Sequence, residues 1–169
     1  MVDESWEMHC YIKNPQRCTT TLVCGAYARD PVATQGRHLD LKGNNVLFDL
    51  KTGKVRLIGL GLAQHIHRNR NPHFKVPSKR LQCWHGPEYR NAKQFTSFTD
   101  IYALGWLFLD VLVPPMKGFH KWPPSLGCYD RLHHEFGTPI ANNLRACFST
   151  TPTSRPSYAD LLAEFDVRV

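Results

Sequence analysis

The sequence has no apolar run of the roughly 18 residues that a membrane-spanning helix requires. Its longest apolar stretch, residues 101–116, is interrupted by Asp110 and by Pro114 and Pro115. The first residues are acidic and lack the apolar centre of a secretory signal, and Val2 excludes N-myristoylation, which needs glycine there. We therefore expect an intracellular protein, cytoplasmic or nuclear, with no membrane association.

The cysteines and histidines also lack the close, paired spacing that is typical of zinc sites and of disulfide frameworks. The six cysteines contain no C-x-x-C pair, although zinc ribbons and disulfide frameworks use such close spacing. Among the nine histidines, His65 and His67 form an H-x-H pair and His133 adjoins His134, but neither pair belongs to a four-ligand zinc pattern. We expect plain thiols and no metal site. The cysteines are Cys10, Cys18, Cys24, Cys83, Cys128 and Cys147.

Positive charge is in excess, yet no nucleic-acid-binding motif accompanies it. The chain carries 21 Lys and Arg against 14 Asp and Glu, a formal net charge of +7. The densest basic segment, residues 67–80, also holds two prolines and no helical period, which is typical of a solvated loop. We expect no nucleic-acid partner.

Size and composition are those of a globular domain. The chain has 169 residues, of which 42% are hydrophobic and 21% charged. Residues 1–36 carry only a weak pattern, and we expect them to be an irregular N-terminal segment. Residues 37–169 form the expected folded domain.

A β-hairpin is predicted early in this domain. Two short apolar runs, residues 46–50 and 55–58, flank a turn in which Gly53 supplies the special backbone position. Residues 59–88 follow as a long irregular segment, and loops of that length are usually functional or mobile.

The second half of the domain is predicted to be helical. Residues 99–113 are apolar on every side, which is typical of a central helix, and Thr99 or Asp100 is expected to cap it. Shorter helices are predicted at 128–137, at 139–149 and at 157–165. The predicted fold class is therefore α+β and mainly α-helical.

A compact polar cluster precedes the hairpin. Residues 38–45 read H-L-D-L-K-G-N-N and place Asp40, Lys42 and Asn45 within six residues. An aspartate can accept a hydroxyl proton, a lysine can stabilise a transferring phosphoryl group, and an asparagine can hold a metal ion. The same three residues also fit an ordinary polar loop, and the cluster alone does not separate the two interpretations.

With its surroundings, this cluster resembles the C-terminal lobe of eukaryotic protein kinases, whose catalytic loop reads H-R-D-L-x-x-x-N before a hairpin. Lys42 resembles the serine/threonine branch of the family. Four further segments follow in family order: 55–63 is similar to the D-F-G strand, 86–88 to A-P-E, 100–105 to the start of the central helix, and 144–157 to the closing segment. The resemblance covers residues 37–166.

The resemblance implies that the architectural residues are present. Glu88 matches the glutamate of A-P-E and Arg155 the arginine with which it pairs in the family, so we expect a buried ion pair. Asp100 would brace the catalytic loop through backbone N–H groups, and His38 would hold the loop in place.

The catalytic parts depart from the family pattern. Gly59 stands where the family has the metal-binding aspartate of D-F-G, and Leu39 stands where it has the arginine of H-R-D. Asn45 alone is a poor cation site. Only 36 residues precede the expected folded domain, without a G-x-G-x-x-G or V-A-I-K motif, so an N-terminal lobe is expected to be absent. The resemblance thus implies a pseudokinase reduced to its C-lobe.

The expected function is a non-catalytic regulator or decoy that binds a protein kinase or its substrate, with no cofactor. The alternative is a serine/threonine kinase with residual or trans-complemented phosphotransfer. Asp40 would then be the base, Lys42 would contact the γ-phosphate and Asn45 would hold the metal, with ATP and Mg²⁺ as cofactors. A second alternative is a degenerate gene product. The sequence predicts no particular oligomeric state.

Overall fold

The fold is mainly helical α+β, as the sequence predicts. The structure, a computed structural model, describes residues 6–7, 36–49, 52, 55–65, 82–91, 96, 98–113 and 126–166. None of the helices within these ranges is long and apolar enough to span a lipid bilayer.

Five short strands lie in the described residues: β1 (Trp6–Glu7), β2 (Gly36–Arg37), β3 (Val46–Asp49), β4 (Val55–Leu57) and β5 (Gln64–His65). Strands β3 and β4 form the predicted hairpin, with Val46 opposite Leu57, and each strand ends one residue before the predicted end. Strand β1 adds an outer antiparallel strand beside β3, and β2 pairs with β5.

The two-residue strand Gln64–His65 corrects the prediction for residues 59–88, which were expected to be irregular and which also hold a 3₁₀ turn at Leu60–Leu62. Strand Trp6–Glu7 lies within the expected N-terminal segment. Such strands are too short for an alternating pattern, and their partners are distant in sequence. The rest of residues 1–35 and the basic segment 67–80 lie outside the described residues, so the boundary at 36/37 stays a prediction.

The described helices are α1 (Pro87–Asn91), α2 (Thr99–Leu112), α3 (Leu126–Phe136), α4 (Thr138–Cys147) and α5 (Tyr158–Asp166). Helix α2 is the predicted central helix, and its residues are buried on nearly every side. Helices α3, α4 and α5 match the three shorter predicted helices, whereas α1 was not predicted.

Helix α2 packs closely against the end of α4. A Cβ atom at Gly105 would lie 2.8 Å from Cβ of Cys147 and 3.1 Å from the ring of Phe148, so only glycine allows this approach. The Phe148 ring meets Tyr102 and Trp106 edge-on, with centroid separations of 5.3 and 5.5 Å. These contacts fix α2, and with it the carboxylate of Asp100 in its first turn.

The predicted cap of α2 is wrong. Phe98 occupies the N-cap position without a side-chain hydrogen bond to the helix. The hydroxyl of Thr99 accepts the N–H of Thr96 at 2.9 Å, and the carboxylate of Asp100 accepts bonds from the distant residues 38 and 39. The Thr99 hydroxyl is therefore engaged by the segment just before the helix, and the Asp100 carboxylate by tertiary contacts.

The thiol prediction can be assessed for half of the cysteines. Cys83, Cys128 and Cys147 are free thiols, whereas Cys10, Cys18 and Cys24 lie outside the described residues. Within the described ranges, no three His, Cys, Asp or Glu side chains cluster as metal ligands would.

Candidate functional site

The loop formed by residues 38–45 is held in place by the first turn of helix α2. The buried carboxylate of Asp100 accepts the N–H of His38 at 2.6 Å and the N–H of Leu39 at 2.8 Å, which are the bracing contacts the resemblance implies. Leu39 adopts a φ of 63°, which is uncommon for a residue with a side chain. The Tyr89 hydroxyl donates to the Leu39 carbonyl at 2.9 Å and helps to hold this conformation.

His38 ties the same loop to the end of strand β4. Its Nδ1 accepts the N–H of Asp40 at 3.3 Å, and its Nε2 lies 2.9 Å from the carbonyl of Ile58. A backbone N–H can only donate and a carbonyl can only accept, so the ring is a neutral tautomer with its proton on Nε2. The buried imidazole thus positions Asp40 relative to Ile58 and its neighbour Gly59.

The three predicted catalytic-loop residues come together. Nζ of Lys42 lies 2.8 Å from Oδ2 of Asp40. Nδ2 of Asn45 donates to the Asp40 carbonyl at 2.6 Å and to Oδ2 of Asp40 at 3.1 Å. One oxygen of the Asp40 carboxylate therefore already accepts two hydrogen bonds.

Trp84 and Arg37 were not foreseen as part of this region. The Trp84 ring centroid lies 5.8 Å from Nζ of Lys42, within the range of a cation–π contact. Arg37 is only 5% exposed, and its Nε and Nη1 find no acceptor among the described residues. Burial lowers the pKa of Arg37, and the charge of Asp100 opposes that effect. An arginine inside a two-residue strand gives no sequence signal for burial.

Gly59 lies directly against Asn45. Its φ is 78°, in the left-handed region that favours glycine. A Cβ atom at residue 59 would lie 2.5 Å from Cγ and from Oδ1 of Asn45 and 2.7 Å from Nδ2. The Asn45 amide thus occupies the space that a side chain at residue 59 would need.

This arrangement does not fit Mg²⁺ bound to a nucleotide. Mg²⁺ prefers octahedral oxygen coordination, usually with one or two carboxylates. The loop offers the single carboxylate of Asp40, one of whose oxygens is already bonded by Lys42 and by Asn45. Gly59 contributes no ligand.

The second predicted constellation, Glu88 with Arg155, forms a separate structural element. The two side chains make a bidentate pair, with Nη1–Oε1 at 2.6 Å and Nη2–Oε2 at 2.7 Å. Arg155 also donates from Nε to the Ser149 carbonyl at 3.0 Å and from Nη1 to the Phe98 carbonyl at 2.9 Å. The predicted buried ion pair is therefore present, and it joins the start of α1 to the segment before α5.

The comparison with known families agrees with this architecture. A family profile described as the protein kinase domain matches residues 34–123, so the chain belongs to the protein kinase family.

Its relatives include both serine/threonine and tyrosine kinases. The chain is 28% identical to the serine/threonine-protein kinase max-2 of Caenorhabditis elegans over 75% of its own length and 20% of that protein. It is 27% identical to the tyrosine-protein kinase hopscotch of Drosophila melanogaster, covering 74% of the chain and 12% of the relative. It is 23% identical to human mitogen-activated protein kinase kinase kinase 11, covering 76% and 16%. The chain thus spans an eighth to a fifth of these relatives.

Proposed function

We propose that this chain is a non-catalytic, protein-kinase-like module that binds a protein kinase or a kinase substrate and acts as a regulator or decoy. The observation that carries the proposal is the contact of Asn45 with Gly59, where the family pattern places a metal-binding aspartate. Phosphoryl transfer depends on positioning and on neutralising charge at the phosphates. A loop with one carboxylate, already bonded to its own lysine, lacks the groups for that neutralisation.

The residues that support the loop are in place, and this favours a binding role over loss of all function. Asp100 and the pair Glu88–Arg155 keep the loop, α1 and the segment before α5 in a defined arrangement. Leu60, next to Gly59, is 44% exposed and gives the surface beside the loop an apolar contact point. A partner that contacts this surface would bury Leu60, which makes this residue the one to substitute in a binding test.

The first test is thermal unfolding of the chain with and without Mg·ATP. A ligand present at about 100 times its Kd should add about 2.7 kcal/mol to the free energy of unfolding. We expect a cooperative transition that Mg·ATP leaves unchanged. A rise in the transition temperature that depends on Mg²⁺ would refute the non-catalytic assignment, and a non-cooperative transition would favour a degenerate product.

The second test concerns the partner. The chain, expressed with an affinity tag, should recover a protein kinase or a kinase substrate, and Leu60→Ser should reduce that recovery. Leu126→Ser is the matched control, since Leu126 is equally apolar and more exposed but belongs to α3. Recovery of neither class of protein, or equal loss with both variants, would count against the proposed binding surface.

A second candidate function rests on the grouping of Asp40, Lys42 and Asn45 within hydrogen-bonding distance. This is the set that a serine/threonine kinase would use, either alone or with an N-terminal lobe supplied by another chain. It requires transfer of labelled phosphate that depends on Mg²⁺ and disappears in Asp40→Asn. Absence of such labelling in both forms would remove this candidate.

A further inference from the structure

The relation between Gly59 and Asn45 goes beyond a missing ligand. A Cβ atom at residue 59 would lie within 2.7 Å of three atoms of the Asn45 amide, and real Cβ atoms do not approach other heavy atoms so closely. The simple replacement of Gly59 by a larger residue therefore requires the Asn45 side chain to move.

Asn45 is not free to move without loss. It is 8% exposed, and its Nδ2 makes the two bonds to Asp40 described above. Its backbone N–H donates to the Lys42 carbonyl at 2.9 Å, and its carbonyl accepts the N–H of Ile58 at 2.9 Å. Turning the amide away would leave a buried donor and the Asp40 carbonyl without partners, and unpaired buried polar groups are strongly unfavourable.

We infer that Asn45 is a positioning residue that closes the loop on itself: its amide fills the volume over Gly59 and fixes Asp40, so that Gly59 and Asn45 form one structural unit that keeps a cation out. This inference rests on the proposed function and deepens it, because it assigns to the Asn45 amide the part in holding the loop that a bound metal would otherwise have. It follows that restoring an aspartate at residue 59 does not restore a metal site, because the Asn45 amide lies where the new side chain must begin.

The contact can be separated from backbone strain at residue 59 itself, because that strain is the same whether or not the Asn45 amide is present. Gly61 lies in the turn after Gly59, and a Cβ there would meet no atom within 4 Å. Gly61→Ala therefore reports neither strain nor contact.

The experiment is a double-mutant cycle on the full chain, measured by thermal unfolding without nucleotide. Gly59→Ala should lower the transition temperature, and Gly61→Ala should leave it nearly unchanged. In an Asn45→Ala background, which removes the amide but keeps Cβ, the decrease caused by Gly59→Ala should be smaller by about 3 °C. An equal effect of Gly59→Ala in both backgrounds, or failure of both Gly59 variants to fold, would overturn the inference.

A second readout reports the site and not only its stability. The probe is Mn²⁺, and its binding is measured by the loss of the electron paramagnetic resonance signal of the unbound ion. Neither the wild-type chain nor Gly59→Asp should bind Mn²⁺ at micromolar concentration. A Gly59→Asp variant with wild-type stability that binds micromolar Mn²⁺ would show that the amide yields, and would overturn the inference. The cycle uses no nucleotide, so its outcome is independent of the Mg·ATP test of the proposed function.

Discussion

Removing the negative charge of Glu88 is expected to destabilise the fold strongly. In Glu88→Gln the shape of the side chain is kept but the bidentate pair with Arg155 loses its charge. The Arg155 side chain is 0% exposed, so its guanidinium cannot recover hydration. Breaking a buried pair by removing one partner costs about 3–5 kcal/mol, a large share of the roughly 5–15 kcal/mol by which domains are stable.

The matched control is an exposed pair of the same chemistry. Arg131 and Glu135 lie one helical turn apart on α3 with an N–O distance of 2.7 Å, close to that of the buried pair, but both side chains are 36% exposed. Exposed pairs of this kind contribute about 0.3–0.5 kcal/mol, so Glu135→Gln should change stability little.

The assay is urea unfolding followed by tryptophan fluorescence, with the free energy of unfolding compared among wild type, Glu88→Gln and Glu135→Gln. We also expect Arg155→Met in the Glu88→Gln background to regain part of the loss, since the buried charge is then removed. The recovery should be incomplete because the Ser149 and Phe98 carbonyls lose their donor. A Glu88→Gln effect no larger than that of Glu135→Gln would refute the reasoning.

Two further substitutions and one labelling experiment test other parts of the structure. Arg37→Met should raise the free energy of unfolding in urea, since it removes a buried guanidinium whose Nε and Nη1 have no acceptor among the described residues; a loss would mean that the attraction of Arg37 to Asp100 outweighs its desolvation. Burial raises the pKa of Cys147 to about 12, so its thiol should resist Ellman's reagent at pH 8 while half-buried Cys83 reacts, and early modification of Cys147 would contradict the burial. The free energy of unfolding should also fall above about pH 9, because the Cys147 thiol ionises at lower pH in the unfolded chain than in the folded one. Gly86→Ala should destabilise the fold, because its Cβ would lie 2.5 Å from Oε2 of Glu88; unchanged calorimetric unfolding would mean that the carboxylate shifts freely.

The sequence was informative where a pattern extends over many residues. The hairpin and helix α2 were predicted nearly to the residue because apolar side chains recur over several consecutive positions. Strands β2 and β5 were missed because two residues carry no period, and each is defined only by its partner. The cap of α2 was wrong because the local rule competes with tertiary contacts, and the Asp100 carboxylate makes stronger ones with residues 38 and 39.

In the candidate site, contacts between residues close in sequence were predicted from the pattern, and those between distant residues were not. Its members Asp40, Lys42 and Asn45 were predicted from six residues of sequence, because a short loop brings its own residues together. The pairing of Glu88 with Arg155 came only from the family resemblance, as the two lie 67 positions apart. The sequence indicated that Gly59 lacks a ligand, but not that Asn45 fills the space, since that depends on how the loop and the end of β4 pack.

Glycine at residue 59 also leaves out the negative charge of the aspartate that the family has there. A last pair of variants measures the effect of that charge on stability. Gly59→Asp and Gly59→Asn have side chains of the same size, so both meet the Asn45 amide alike. The aspartate alone adds a carboxylate beside the Asn45 amide, whose Nδ2 lies 3.1 Å from Oδ2 of Asp40, so the two like charges repel, and Lys42 can neutralise only one of them. Repulsion acts only when both carboxylates are ionised, so the penalty is absent below about pH 4 and grows as the pH rises toward 7. Gly59→Asp should therefore unfold at lower urea than Gly59→Asn at pH 7, and the two should converge at pH 4. Equal midpoints at pH 7 would mean that charge repulsion is no part of what glycine relieves, leaving only its contact with Asn45.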